Sequence, residues 1–249
     1  MKQIVFFFFL FAFSGNLKAE PFVAGLNAID RSHYATAFRS FRPLAEDGIP
    51  EAQNNLGFLY QNGLGVKRNY ALALSWYQRA AEQGLPEAQH NLGMLNYFGY
   101  GVAQDFTIAR RHFLKASEQK LGTSSYMIGL IYFNGDGFQK NLEQARQYFG
   151  KAAREGDANG QYMSSYLLLS GEGKIRKEGG YWDRIFSTQT AKEDLFSAWV
   201  WAEIAVRNGQ SDAYNLVEFL RIQSDFDEKK VEETVGVCIN SQYKSCPAI

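Results

Sequence analysis

Two Ser-x-x-Lys strings, Ser117 to Lys120 and Ser241 to Lys244, are the places where this chain could set a nucleophile beside its base. A serine one helical turn before a lysine can pass its proton to the amine and attack an acyl group. The companions of such a site are missing from the sequence: it contains no Ser-Asp-Asn, no Lys-Thr-Gly and no Gly-x-Ser-x-Gly. It also lacks a Walker loop and a His-Glu-x-x-His pair. The three histidines, His33, His90 and His112, are scattered, so no metal-ligand cluster is expected. Cys238 and Cys246 enclose INSQYKS, and either a disulfide or a pair of metal ligands fits that spacing. Glycine doublets at Gly63/Gly65, Gly99/Gly101 and Gly135/Gly137 would cradle a phosphate only after a strand. They follow helical patterns instead and read as turns. No catalytic residue and no cofactor site is expected.

Composition narrows the classes further. With 249 residues, 46% of them hydrophobic and 21% charged, the chain can bury a core and stay soluble. Its 26 basic and 26 acidic residues cancel, which leaves no field to hold nucleic acid or an anionic membrane. Lys2 precedes the apolar run Ile4 to Phe13, Ser14 and Gly15 break it, and Ala19 offers a small residue before Glu20. Residues 1–19 therefore read as a secretory signal, too short to span a bilayer. Losing Lys2 and Lys18 with them takes the formal charge from zero to −2. The expected location is outside the cytoplasm, periplasmic or secreted, with no membrane insertion once the signal is gone. In that compartment the cysteine pair favours a disulfide.

Positioning falls to a repeat. GIPEAQNNLG at 48–57 returns as GLPEAQHNLG at 84–93, and aligning Gly57, Gly93 and Gly129 gives three gapless 36-residue units, 51–86, 87–122 and 123–158. Leu56, Leu92 and Ile128 coincide, as do Tyr77, Phe113 and Phe149, and Ala80, Ala116 and Ala152. Ala52, Leu56, Leu59, Tyr60 and Gly63 share one face of a helix, here helix A. Gly63 ends it in the left-handed region and Asn69 caps the next helix. Ala73, Trp76, Tyr77, Ala80 and Ala81 then face inward along helix B, which Gly84 stops. Two such helices cannot bury their apolar faces alone, so successive hairpins must stack.

Glu51 to Gly84, EAQNNLGFLYQNGLGVKRNYALALSWYQRAAEQG, resembles a Sel-1-like repeat, a relative of the tetratricopeptide repeat. The resemblance implies an all-α fold, a right-handed superhelical solenoid of helix-turn-helix units. It also implies a scaffold that binds a protein or peptide through its concave groove. Two alternatives follow from the same likeness: a penicillin-recognising enzyme or small-ligand binder, and a structural subunit of an envelope assembly. Lys120 in place of the terminal glycine, His112 in place of tryptophan, and Ser164-Ser165 in place of Leu-Gly depart from the pattern.

Beyond the complete units, residues 20–50 read as a degenerate repeat: Phe22 to Ser32 as helix A and Tyr34 to Gly48 as helix B, with Pro43 expected to kink it. Residues 159–212 read as a divergent fourth repeat, whose interhelix loop carries an insertion at about 174–190 with Tyr181, Trp182 and Phe186. Residues 213–249 supply capping helices, one starting at a Ser224/Asp227 capping box, and the disulfide-pinned tail.

At 100° per residue, three positions of helix A lie opposite its packing face. They are Asn54, Phe58 and Gln61; His90, Met94 and Tyr97; Tyr126, Leu130 and Phe133; Tyr162, Tyr166 and Leu169. Nine of these twelve are aromatic or aliphatic, a stripe that should not stay open to water without a use. It is expected to be a partner groove, unless the insertion or tail covers it or the curvature buries more of helix A.

Overall fold

The computed structural model describes residues 20–170, 189–224 and 226–249. Twelve helices and no strands occur among them. The first, α1, covers residues 20–30. It is followed by α2 (Tyr34–Glu46), α3 (Pro50–Asn62), α4 (Tyr70–Glu82), α5 (Pro86–Phe98), α6 (Phe106–Glu118), α7 (Gly122–Asn134), α8 (Leu142–Arg154) and α9 (Ala158–Ser170). The last three are α10 (Gln189–Arg207), α11 (Ala213–Gln223) and α12 (Glu228–Asn240). The chain forms two compact units that divide inside α6, one ending at His112 and one beginning at Phe113. The signal and the insertion's Tyr181, Trp182 and Phe186 lie outside the described residues. Among the described residues no helix is long and apolar enough to cross a membrane.

Each hairpin begins and ends where its sequence requires. Asn69 accepts from the Leu72 amide at 3.0 Å, Asp105 from that of Ile108 at 2.9 Å and Asn141 from that of Gln144 at 2.9 Å. Gly63 closes α3 at φ 69°. Gly65 has a second reason to be glycine: at φ 68° its Cβ would stand 2.4 Å from the backbone of Tyr34 and Ala35. Lys120 keeps the left-handed conformation of the glycines it replaces, with φ 65°. Pro43 falls in the last turn of α2, which runs on to Glu46, and the proline is exposed. Ser224 closes α11 instead of opening a capping box, its hydroxyl donating to the Leu220 carbonyl at 2.7 Å. Asp227 alone caps α12 through the Lys229 amide.

The mid-helix glycine of helix A receives the ring of helix B. A Cβ on Gly57 would stand 2.8 Å from the Tyr77 ring, and one on Gly129 would stand 2.5 Å from that of Phe149. Tyr77 and Phe149 are fully buried, which offsets the roughly 1 kcal/mol that a glycine costs a helix. The same contact recurs between α1 and α2, where a Cβ on Gly25 would stand 2.6 Å from the Phe41 ring. Between α9 and α10 the exchange is compensated on both sides. Ser165 carries the Cβ, and Ala202 stands in register where the ring would be. The Ser165 hydroxyl donates to the Ala198 carbonyl at 2.8 Å.

A second core, around Trp199, Trp201, Ile204, Val217, Leu220, Val231 and Val235, joins α10 to α11 and α12. Cys238 and Cys246 form a disulfide, Cα to Cα 4.7 Å. The C-terminal segment packs near α8 and α10: a Cβ on Gly150 would stand 3.3 Å from Ile249, one on Gly156 would stand 3.2 Å from the Tyr243 ring, and the Trp201 indole donates to the Pro247 carbonyl at 3.3 Å.

Candidate interaction face

Helix-A residues expected to line a groove are distributed unevenly between exposure and packing. In the first unit, Phe58 is exposed at 39%, and Met94 and Tyr97 are half-buried. The polar members of this wall are engaged. Asn91 donates to Asn54 Oδ1 at 2.9 Å, and the Tyr77 hydroxyl donates to Gln61 Oε1 at 2.9 Å. Burial lowers the pKa of His90 to about 4, because the imidazolium would lose its hydration there. It is therefore neutral at pH 7.

In the second unit, Tyr126, Leu130, Phe133 and Tyr166 are half-buried against the cluster of Ala145, Phe149 and Leu167. The rings of Tyr126 and Phe133 stand 5.7 and 6.2 Å from that of Phe149. Lys140 Nζ lies 5.0 Å from the Phe133 ring. Leu169 packs against the C-terminal core and Tyr162 is half-buried. Burial raises the pKa values of Tyr126 and Tyr162, with nearby Asp157 and Asp212 adding to the shift. The helical-wheel reading thus understated how far Phe149 reaches across helix A. The stripe is the rim of the core as well as a surface.

The first serine-lysine string is not a contact pair. Ser117 meets Lys151, not Lys120: the ammonium donates to its Oγ at 2.7 Å and its carbonyl at 2.9 Å. Ser117 Oγ also lies 2.7 Å from that of Ser125, which donates to Glu155 Oε2 at 2.6 Å. A nucleophile must be reached by its substrate, and Ser117 is 1% exposed and Ser125 fully buried. Ser241 is held as a helix end, donating to the Cys238 carbonyl. No group of three or more potential metal ligands occurs among the described residues.

What this network does is visible in the other units. The Gln53, Gln89 and Gln161 amides donate to the carbonyls of Ala45, Ala81 and Ala153, at 3.2, 2.9 and 3.3 Å. Each Gln oxygen is satisfied in turn, by Gln83, His112 and Asn208. In the third repeat Ser125 occupies the glutamine position. It is too short for the task, so Lys151 reaches the corresponding Ser117 carbonyl and Glu155 takes the Gln83 position. These buried polar joints between a helix-B end and the next helix A were missed in the sequence reading. Their signal was present: a glutamine at 53, 89 and 161, inside a pattern that otherwise buries alanine and leucine.

Comparison with known proteins agrees with this architecture. The Sel1 repeat family model matches residues 50–85, 86–121 and 123–157. A crystal structure of a Sel1 repeat protein from Oxalobacter formigenes is similar, with 27% identity and a TM-score of 0.65 over 83% of this chain and 79% of that one. Also similar is c5321, a protective antigen present in uropathogenic Escherichia coli strains displaying an SLR fold. It is 26% identical, with a TM-score of 0.59 over 85% of this chain, which spans half the length of c5321. No curated protein matches the chain.

Proposed function

We propose that the chain, which carries Sel1 repeats at residues 50–85, 86–121 and 123–157, binds a segment of another protein through its helix-A faces, the repeats acting as a scaffold outside the cytoplasm. One observation carries the reading: the helix-A wall of the second unit presents Tyr126, Leu130, Phe133, Tyr162 and Tyr166 half-buried. Rings fixed by packing offer apolar area at little entropic cost, the property of interface anchors. Phe58, Met94 and Tyr97 form the counterpart in the first unit, and Leu169 adjoins the C-terminal core. The disulfide favours an oxidising compartment, the periplasm or the exterior. We read Ser117 and Lys151 as a structural joint and assign the protein no enzymatic activity.

Tyr126 and Phe133 are poor first probes, because replacing them also uncovers Phe149. Phe58 and Tyr162 are better, since neither belongs to the Phe149 cluster. A photo-crosslinking phenylalanine analogue placed at Phe58 or Tyr162 in cells is expected to trap one discrete protein adduct. The same analogue at Gln78, exposed on α4, is expected to trap none. Equal adducts at all three positions, or none anywhere, would overturn the assignment.

A further inference from the structure

Along α8 the third repeat departs twice from the pattern of the earlier ones, and both departures meet at one cavity. Where the preceding helices B carry Gln78 and Leu114, α8 has Gly150; where they carry Glu82 and Glu118, it has Arg154. Arg146, Gln147, Gly150, Arg154 and Ile249 line a cavity of about 300 Å³. The missing side chain opens its floor, since a Cβ on Gly150 would stand 3.3 Å from Ile249 and 3.5 Å from Arg154 Nη1. Two guanidiniums and no acidic side chain line it.

Those guanidiniums are under-used. Arg146 Nε is buried and has no hydrogen-bond partner, while its Nη2 approaches Glu143 only to 3.4 Å. Arg154 donates to the Gly150 carbonyl at 3.3 Å, within its own helix. A buried N–H on a charged group left without an acceptor costs at least as much as a lost hydrogen bond. The planar fork of a guanidinium matches the two oxygens of a carboxylate or phosphate. We propose that this cavity binds one oxyanion group, carboxylate or phosphate, of a small ligand. The guanidiniums of Arg146 and Arg154 that line it are its donors, and the tail held by the Cys238–Cys246 disulfide and the Trp201 bond to Pro247 is its wall.

The test follows the arginine Nε–Hε signals of the full chain by NMR during titration with sodium phosphate and, separately, sodium succinate, against sodium chloride at equal ionic strength. Saturable shifts of Arg146 and Arg154 are expected with at least one of the two anions, while exposed Arg42, bonded to Glu46, follows the chloride control. Phosphate alone identifies a phosphate-bearing ligand, and succinate alone a carboxylate-bearing one. Arg154→Gln, an exposed change that spares the core, should weaken binding about tenfold or more, the loss of roughly one charge-assisted hydrogen bond. Cys246→Ser should abolish saturation by releasing the wall. Shifts that track ionic strength alone would overturn the proposal. So would an Arg146 signal that ignores both anions and moves only when Ala248 and Ile249 are deleted, because the cavity would then be filled by the chain's own tail.

Discussion

Helix A of the first repeat and helix A of the third place different chemistry at one position, and the ring beneath explains the difference. Gln61 faces Tyr77, whose hydroxyl it accepts; Phe133, two periods later, faces Phe149, which has no hydroxyl to satisfy. A tyrosine under the wall calls for a polar partner, and a phenylalanine permits an aromatic one. The aromatic character of the second unit's wall is therefore partly a packing consequence. Only the part beyond that, Tyr162 above all, supports the proposed recognition role independently of core packing.

Removing the ring should break this comparison most visibly. Phe149→Ala is expected to cost about 3–5 kcal/mol in urea unfolding, as for other fully buried phenylalanines, and to loosen Tyr126 and Phe133 with it. Tyr77→Phe keeps the ring and forfeits only the Gln61 bond, so about 1 kcal/mol should be lost. If both variants lost the same amount, the ring-and-partner account of the wall would fail.

Acid should act next most strongly, and through the first unit's wall. His90 titrates near 4 in the folded chain and near 6.5 when unfolded. Between those values the unfolded state binds the extra proton, so stability is complete above about pH 6.5 and declines as pH falls towards 4. The loss should reach about 2–3 kcal/mol. His90→Asn should flatten that part of the stability profile, and NMR titration of the imidazole checks the pKa directly. An ordinary value near 6.5 would rule out this source of acid sensitivity.

The smallest effects concern the turns. Gly84 and Lys120 occupy the same repeat position with φ of 91° and 65°. Lys120→Gly should stabilise by about 0.5–1 kcal/mol, because the lysine Cβ is strained there, and Gly84→Lys should destabilise by about 1 kcal/mol. Thermal denaturation of the two variants should show shifts of opposite sign; shifts of the same sign would mean that tertiary packing, not backbone conformation, sets the cost at this turn.

By itself the sequence determined the period, the helices and their ends. Those follow from local chemistry: asparagine and aspartate at N-caps, left-handed glycines, and apolar residues at helical spacing within one unit. It also marked which side of helix A is enriched in rings. What only the tertiary structure decided were matters of reach between residues far apart in the chain. Phe149 spreads under Tyr126 and Phe133, so a wall drawn as exposed is half core. Lys151 replaces the absent glutamine at Ser125 from 26 residues away, a substitution no local window contains. The tail comes to rest on Gly150 and Gly156, because a missing Cβ is an opening only when another segment is there to occupy it.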